Sequence, residues 1–188
     1  MTRLVVLLVV LTLLLLAAFS NPAAASRPAK PLPPCEAASP VEILDCLAAA
    51  LNAGDMHALD NLLARDFVSD HKPREDGPTP DPADREMFLK LMRSFVTNDR
   101  VKTYTFAFSF EGETPQVEPG TWMLDGVRST LEVSGTATVW KDGVKSEVQD
   151  QRNRVEKLDT FEVREVRAPV GLPGDVRHFE IVRWTEGS

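Results

Sequence analysis

Residues that serve most catalytic and metal-binding patterns are scarce in this sequence. The chain of 188 residues has only two cysteines and three histidines. His57, His71 and His178 have no second histidine at ligand spacing, so no metal site is predicted. The Gly-x-Ser-x-Gly pattern of serine nucleophiles and the glycine-rich phosphate loop are both absent. The sequence therefore gives no reason to expect a metal or any other cofactor.

Excess positive charge is also lacking. Lysine and arginine together number 21 against 28 aspartate and glutamate residues, which gives a formal net charge of −7. Phosphate backbones and anionic lipid headgroups repel such a chain. We therefore expect neither a nucleic acid nor a membrane surface as the partner of the mature protein. A small apolar molecule or another protein is the expected partner.

The long apolar run of the sequence lies near its start. Arg3 is followed by apolar residues from Leu4 to Phe19 and then by three alanines that form a small-residue cleavage site. This run is shorter than the roughly 20 residues that a membrane span prefers. We therefore predict a secreted or periplasmic protein. Its predicted parts are a signal peptide (1–25), a proline-rich linker (26–38) and one folded domain (39–188).

The two cysteines are expected to form a disulfide. Cys35 lies in the proline-rich linker and Cys46 lies in the first predicted helix. Thiols of exported proteins are usually oxidised, and no histidine cluster accompanies this pair to suggest a metal. A Cys35–Cys46 bridge would tether the linker to that helix.

Helical periodicity dominates the first part of the predicted domain. Apolar residues at i, i+3, i+4 and i+7 give the first helix one apolar face. Gly54 supplies its C-terminal stop, and Asp55 is placed to cap a second helix. Asp81 is expected to cap a third helix that begins at Pro82. The predicted apolar positions of the first and third helices are Leu44, Leu47, Ala48, Leu51, Phe88, Leu91, Met92 and Phe95.

From Val101 onward the period changes from 3.6 to 2, which is typical of strands. Tyr104, Phe106, Phe108 and Phe110 share one face of the first of these. Further strands are predicted at residues 127–140, 146–157, 161–167 and 178–184. Three helices followed by antiparallel strands indicate an α+β fold with the helices on one sheet face. A strongly curved sheet of this kind makes a cone with a pocket at its open end.

Two segments resemble a known superfamily. The strings AALNAGDM, from Ala49 to Met56, and LLARDFV, from Leu62 to Val68, are similar to the nuclear-transport-factor-2-like superfamily. That group includes SnoaL-like polyketide cyclases, ketosteroid isomerases, scytalone dehydratase and limonene epoxide hydrolase. The resemblance implies a cone-shaped, cystatin-like α+β barrel with a mostly apolar pocket. It also implies a possible homodimer formed through the outer face of the sheet.

The chemistry of the ketosteroid isomerases transfers poorly to this chain. Their catalytic tyrosine falls at Leu47, which cannot donate a hydrogen bond. Their general-base aspartate falls at His71, and Asp70 fills that place only after a one-residue slip. Their late-strand acid falls near Arg152. The resemblance therefore does not imply isomerase activity.

Asp70 and His71 end a predicted strand beside a long loop, where a pocket mouth is expected. Histidine titrates near neutral pH and can serve as a general base. Alternatively, the pair is simply polar surface at a strand end. The side chains expected to line the pocket are Phe67, Ser69, Tyr104, Phe106, Phe108 and Leu131.

The strand around residues 147–155 is polar on both faces and leaves its orientation open. If Val148 points inward, Asp150 and Arg152 do too, and this pair could position a water or a substrate carboxylate. If Val155 points inward, the inward residues are Gln149, Gln151 and Asn153. Because these two anchors disagree, a bulge or an edge position is expected. Alternatively, the polar residues form an exposed sheet face with cross-strand charge pairs.

The leading hypothesis is an exported domain that binds a small apolar ligand or a protein partner, without established catalysis. The first alternative is a small-molecule isomerase, dehydratase or hydrolase that uses His71 or Asp70, assisted by Asp150 or Arg152. The second is an interaction module with an apolar patch on the outer sheet face around Trp140 or Trp184.

Intact mass spectrometry of the exported protein tests two predictions made above, the cleavage of the signal peptide and the Cys35–Cys46 disulfide. We expect the mature chain to begin at Ser26 and to weigh two hydrogens less than the reduced chain, because Cys35 and Cys46 are bridged. In the chain-entropy model, reduction lowers the free energy of unfolding by about 2–3 kcal/mol. Alkylation of both thiols without a reductant would contradict the bridge.

Overall fold

The computed structural model describes residues 37–72, 79–141, 144–166 and 178–187, with the backbone alone for 139–141 and 144. The helices are α1 (Ile43–Ala53), α2 (Met56–Leu62) and α3 (Arg85–Val96). The strands are β1 (Leu63–His71), β2 (Ala83–Asp84), β3 (Val101–Ser109), β4 (Gln116–Glu118), β5 (Thr121–Lys141), β6 (Val144–Val166) and β7 (His178–Glu186). None of the described helices is long and apolar enough to cross a membrane.

The predicted signal peptide (1–25) lies outside the described residues, as does the predicted linker (26–38) except for its last two residues. Cys35 is among the residues that are not described. The Cys35–Cys46 bridge therefore stays a prediction. Cys46 itself is half-buried in α1 and packs against the core.

The junction between α1 and α2 follows the sequence signals. Gly54 adopts a left-handed conformation with φ 63°, and its N–H reaches carbonyl oxygens in the last turn of α1. Asp55 then accepts hydrogen bonds from the N–H groups of His57 (3.1 Å) and Ala58 (3.0 Å). Both predictions, the glycine stop and the aspartate cap, are confirmed.

The start of α3 differs from the prediction. Residues 83–84 are drawn into the sheet as β2, where Ala83 pairs with Ser69 of β1. The helix therefore begins only at Arg85, and Asp84 rather than Asp81 caps it by accepting from the N–H of Met87 at 2.9 Å. The predicted cap at Asp81 is wrong because pairing with β1 delays the helix by three residues.

The strands form one sheet in the order β2–β1–β7–β6–β5–β3, and β4 pairs with β5 off this path. The three helices pack on the curved sheet, so the predicted α+β cone is confirmed. One pair departs from the antiparallel expectation, because β1 and β7 run parallel. They are the first and last long strands of the chain, so no tight turn constrains their relative direction.

A long hairpin of β5 and β6 forms most of the sheet. These strands have 21 and 23 residues. The first begins six residues before the predicted strand at 127–140, and the predicted gap between residues 157 and 161 is wrong. Register shifts keep the pairing continuous: one lies at Gly126, which has φ 83°, and another lies opposite Thr136, where Asp150 has φ 55°. Each inserts a residue that bends the hairpin without ending it.

The outer strand β3 has its free edge covered by an asparagine of the Ala-Leu-Asn-Ala-Gly-Asp string. The side-chain Oδ1 of Asn52 accepts from the N–H of Phe106 at 2.6 Å, and its Nδ2 donates to the carbonyl of Phe106 at 2.8 Å. This amide imitates the backbone of another strand. It therefore fixes α1 against β3 and satisfies two groups of an otherwise open edge.

Replacing this asparagine tests its contribution. We expect Asn52→Ala to lower the free energy of unfolding by about 1–3 kcal/mol, because two backbone groups lose their partners. Asn61→Ala is the matched control, since this exposed asparagine of α2 makes only a long contact to the His57 ring, and we expect a change of at most about 0.5 kcal/mol. Urea unfolding measures both. Equal effects of the two substitutions would contradict the role of Asn52.

Candidate functional site

The inward-facing surface of β3, β5 and β6 is here called the concave face. The ring of Phe95 in α3 contacts the rings of Tyr104 and Phe106 at 5.3 and 6.0 Å, so these side chains point toward the helices. The register then assigns the neighbouring strands to the same face. Its three central rows are Tyr104–Val133–Asn153, Phe106–Leu131–Val155 and Phe108–Ser129–Lys157.

One part of the cone is filled by its own aromatic side chains. Phe88 of α3 lies between Phe67 and Trp184, with ring centroids 5.2 and 5.6 Å away. Trp184 also contacts Phe161 and Phe108 at 5.1 and 5.8 Å. Phe67 is 1% exposed and Phe161 is 0% exposed. Phe67, predicted as a pocket residue, therefore lies inside a closed core cluster.

The rest of the concave face is less covered. Tyr104, Phe106, Phe108 and Leu131, four of the predicted pocket residues, are half-buried although they point toward the helices. Ser69, also predicted, is buried on β1 beside Trp184. We call the three central rows of the concave face its open half. It offers apolar surface that the folded chain covers only in part.

An ionic cluster forms where β1, β6 and β7 meet. His71 pairs with Glu186 across β1 and β7, and its Nδ1 lies 3.7 Å from the Glu186 Oε2. Lys157 Nζ donates to the same oxygen at 2.7 Å. Sequence reasoning found His71 but missed Lys157 and Glu186. The parallel pairing that brings Glu186 to His71 has no local sequence signal.

Asp70 and His71 are not brought together. Asp70 points to the other side of β1, where its Oδ2 accepts from Arg183 at 2.6 Å. Its Oδ1 is buried and has no hydrogen-bond partner among the described residues. Because adjacent strand residues face opposite sides, only His71 lies at the ionic cluster. The one-residue slip that would put Asp70 in its place does not occur.

The bulge at Asp150 settles the orientation of the polar strand. One inserted residue lets Val148 and Val155 face the same side, with Val148 opposite Ala137 and Val155 opposite Leu131. Arg152 is exposed on the outer face, and the 75% exposed Asp150 side chain accepts from Lys102 Nζ. Asp150 and Arg152 therefore do not line the concave face. They lie roughly 20 Å along β6 from Lys157, given about 3.3 Å per residue.

The outer face carries the cross-strand charge pairs that one interpretation predicted. Arg164 donates to both carboxylate oxygens of Asp66 at 2.8 and 3.1 Å, and these hydrogen bonds hold the pKa of Asp66 below its usual value. Likewise, the hydrogen bond from Lys102 lowers the pKa of Asp150. Such exposed pairs contribute little stability each, but they make this face a charged, solvated surface.

The predicted outer apolar patch is wrong for Trp184. This indole is 7% exposed on the inner side, and its Nε1 donates to Asp159 Oδ2 at 2.9 Å. Asp159 is itself 1% exposed and also accepts from the N–H of Gly187 at 2.8 Å. The carboxylate thus fixes the end of β7 beside Glu186. The side chain of Trp140 lies outside the described residues.

No protein-family model matches the chain, and no curated protein matches it significantly. Solved structures do. A candidate calcium/calmodulin-dependent protein kinase II association domain from Xanthomonas campestris is 19% identical, with 78% of this chain and 82% of that chain covered and a TM-score of 0.47. IdmH from Streptomyces antibioticus, a candidate polyketide cyclase, is 19% identical (78% and 89% covered, TM-score 0.44). An epoxide hydrolase from M. tuberculosis is 12% identical (78% and 75% covered, TM-score 0.42). At these identities and TM-scores, the fold assignment depends on the element order and register described above.

Tyr104 is the only tyrosine of the chain, so tyrosinate absorbance reports on it alone. Burial raises its pKa, and we expect the folded protein to ionise above the value of about 10 seen after denaturation. As the pH rises, the phenol ionises first in the unfolded state. The contribution of Tyr104 to the free energy of unfolding is therefore complete below pH about 10 and is lost as the pH rises through the pKa of the folded state. Tyr104→Phe should remove this alkaline loss. Identical folded and denatured midpoints would contradict the burial.

Proposed function

We propose that this chain is an exported domain that binds a small, largely apolar molecule on the open half of its concave face. The observation that carries the proposal is the partial exposure of inward-pointing apolar side chains. Phe106 and Leu131 are half-buried, whereas Phe161 and Val163 of the same sheet are fully buried. Binding sites for small molecules are concave and mostly apolar, with few polar groups.

Apolar surface that a ligand removes from water contributes roughly 25 cal/mol per Å², so covering about 100 Å² of this face contributes on the order of 2.5 kcal/mol. Tyr104, Phe106 and Phe108 present aromatic edges and faces in neighbouring positions of one strand. The aromatic cluster beside them is already packed and gives the face a rigid wall. A ligand therefore loses little to reorganisation of the protein.

A protein partner, including a second copy of the chain, is the other expected occupant. The homodimer predicted from the resemblance would use the outer face. That face presents paired charges, such as Arg154 with Glu132 and Glu156, and half-exposed arginines such as Arg183. Charged residues are depleted in the cores of protein–protein interfaces. The outer face therefore supports a protein partner less well than the concave face supports a small ligand.

Catalysis by His71 is the second candidate function. His71 faces inward at the edge of the open half, and its Nδ1 lies 3.7 Å from the Glu186 Oε2. An imidazole can take a proton from a bound molecule and so act as a general base. Such a site would make the protein an isomerase, dehydratase or hydrolase. Asp70, Asp150 and Arg152 face away and support this function less.

A fluorescent apolar probe, N-phenylnaphthylamine, tests the binding proposal. Leu131 and Thr130 are neighbours on β5 that face opposite sides of the sheet. We expect Leu131→Trp to weaken probe binding at least tenfold, because the indole occupies the open half. Thr130→Trp adds the same bulk to the outer face and should leave the affinity within twofold. Circular dichroism and thermal unfolding verify that both variants fold.

Two outcomes would overturn the proposal. One is a folded wild-type protein that does not bind the probe. The other is equal weakening by both tryptophans, which would place the probe elsewhere. Binding that survives His71→Gln unchanged would separate the apolar site from the ionic cluster and leave His71 to catalysis alone.

A further inference from the structure

The open half contains polar side chains that the folded chain does not use. Asn153 and Gln151 point inward from β6, opposite Val133 and Gly135, and both are half-buried. Tyr104 stands on the same row as Asn153, and its hydroxyl lies beside Gly54 between α1 and α2, 3.1 Å from the position that a Cβ would take there. Within the described part of the chain, none of these three polar groups has a hydrogen-bond partner. An inward-facing amide without a partner is available to a ligand.

Charge is nearly absent from this surface. Among the inward residues of β3, β5 and β6 in the three central rows, the one charged side chain is Lys157, and Glu186 holds it at 2.7 Å. Asp159 also faces inward, two residues beyond Lys157 on β6, but it is 1% exposed and already accepts from Trp184 Nε1. Other charged residues described near the rows, such as Arg152 and Glu132, face outward. A bound carboxylate or ammonium would therefore lose its hydration without gaining a free counter-charge, which is costly.

Resting on the proposed function, we infer that the open half selects a neutral molecule with an apolar body and at least one hydroxyl or carbonyl oxygen. Asn153 and Gln151 both donate and accept hydrogen bonds through their amides. Val133, between Tyr104 and Asn153, supplies the apolar floor.

Strand spacing sets the size of the ligand. Tyr104 and Asn153 lie two strands apart, about 10 Å in the direction of the sheet hydrogen bonds. Gln151 and Asn153 lie two residues apart on β6, about 6.6 Å along the strand. A body of two fused rings fits over this part of the sheet, beside the two amides. A single polar oxygen on such a body can reach one of the amides while the rings cover Val133 and Leu131.

Three compounds with one skeleton test this inference: naphthalene, beta-naphthol and beta-naphthoate at neutral pH. We expect naphthol to bind about tenfold more tightly than naphthalene, and naphthoate to bind most weakly. Asn153→Leu should remove most of the naphthol advantage and leave naphthalene within twofold. Asn61→Leu, at an exposed asparagine of α2, is the matched control and should change neither affinity.

The outcomes separate this inference from the proposed function. Naphthoate that binds as tightly as naphthol would overturn it, as would a naphthol advantage that survives both Asn153→Leu and Gln151→Leu. Naphthalene that binds without any preference for naphthol overturns the inference and leaves the proposed function standing. If none of the three compounds binds to the folded protein, both are wrong. Displacement of N-phenylnaphthylamine measures all of these affinities at one site.

Discussion

The pairing of β5 with β6 is the constraint on which the rest of the structure depends. This hairpin decides which side chains face the helices and which face water, along more than 20 residues of each strand. Gly135 makes its contact with the preceding chain possible, because a Cβ there would lie 1.9 Å from the carbonyl oxygen of Arg100. That carbonyl accepts from the N–H of Thr136 at 2.8 Å. The close approach of β5 to Arg100 and the bulge in β6 therefore occur at the same place in the sheet. The bulge determines that Gln151 and Asn153 point inward.

The hairpin also separates two chemically different faces. The outer face holds ion pairs that span neighbouring strands, such as Arg164 with Asp66 and Glu180. The open half of the concave face is mostly apolar, and its one charged side chain, Lys157, is paired with Glu186 at one end. Because successive side chains of a strand point to opposite faces of the sheet, a single inserted residue decides which side chains lie on the concave face. The physical basis of the proposed selectivity is thus the register of the hairpin rather than any one catalytic group.

Local signals made the fold predictable, whereas the site depends on non-local contacts. The helix break at Gly54 and Asp55 is coded by short-range chemistry, and the aromatic alternation of β3 shows its inward face directly. The pairing of His71 with Glu186 joins strands more than 100 residues apart and leaves no periodic signal. Regular alternation from Val148 predicts that Asp150 points inward, and this prediction fails because Asp150 has a left-handed conformation at the bulge. Leu47, which replaces the isomerase tyrosine of the resembling enzymes, is fully buried in α1 and so is a core residue.

Native mass spectrometry of the protein purified from its own organism tests the central claim most directly, because it reports what the protein carries in its native setting. The account predicts one small molecule per chain that is neutral in solution, leaves on gentle activation and contains a hydroxyl or carbonyl oxygen. A bound carboxylic acid or amine would contradict the neutral site. A ligand-free spectrum at every activation energy would contradict ligand binding itself.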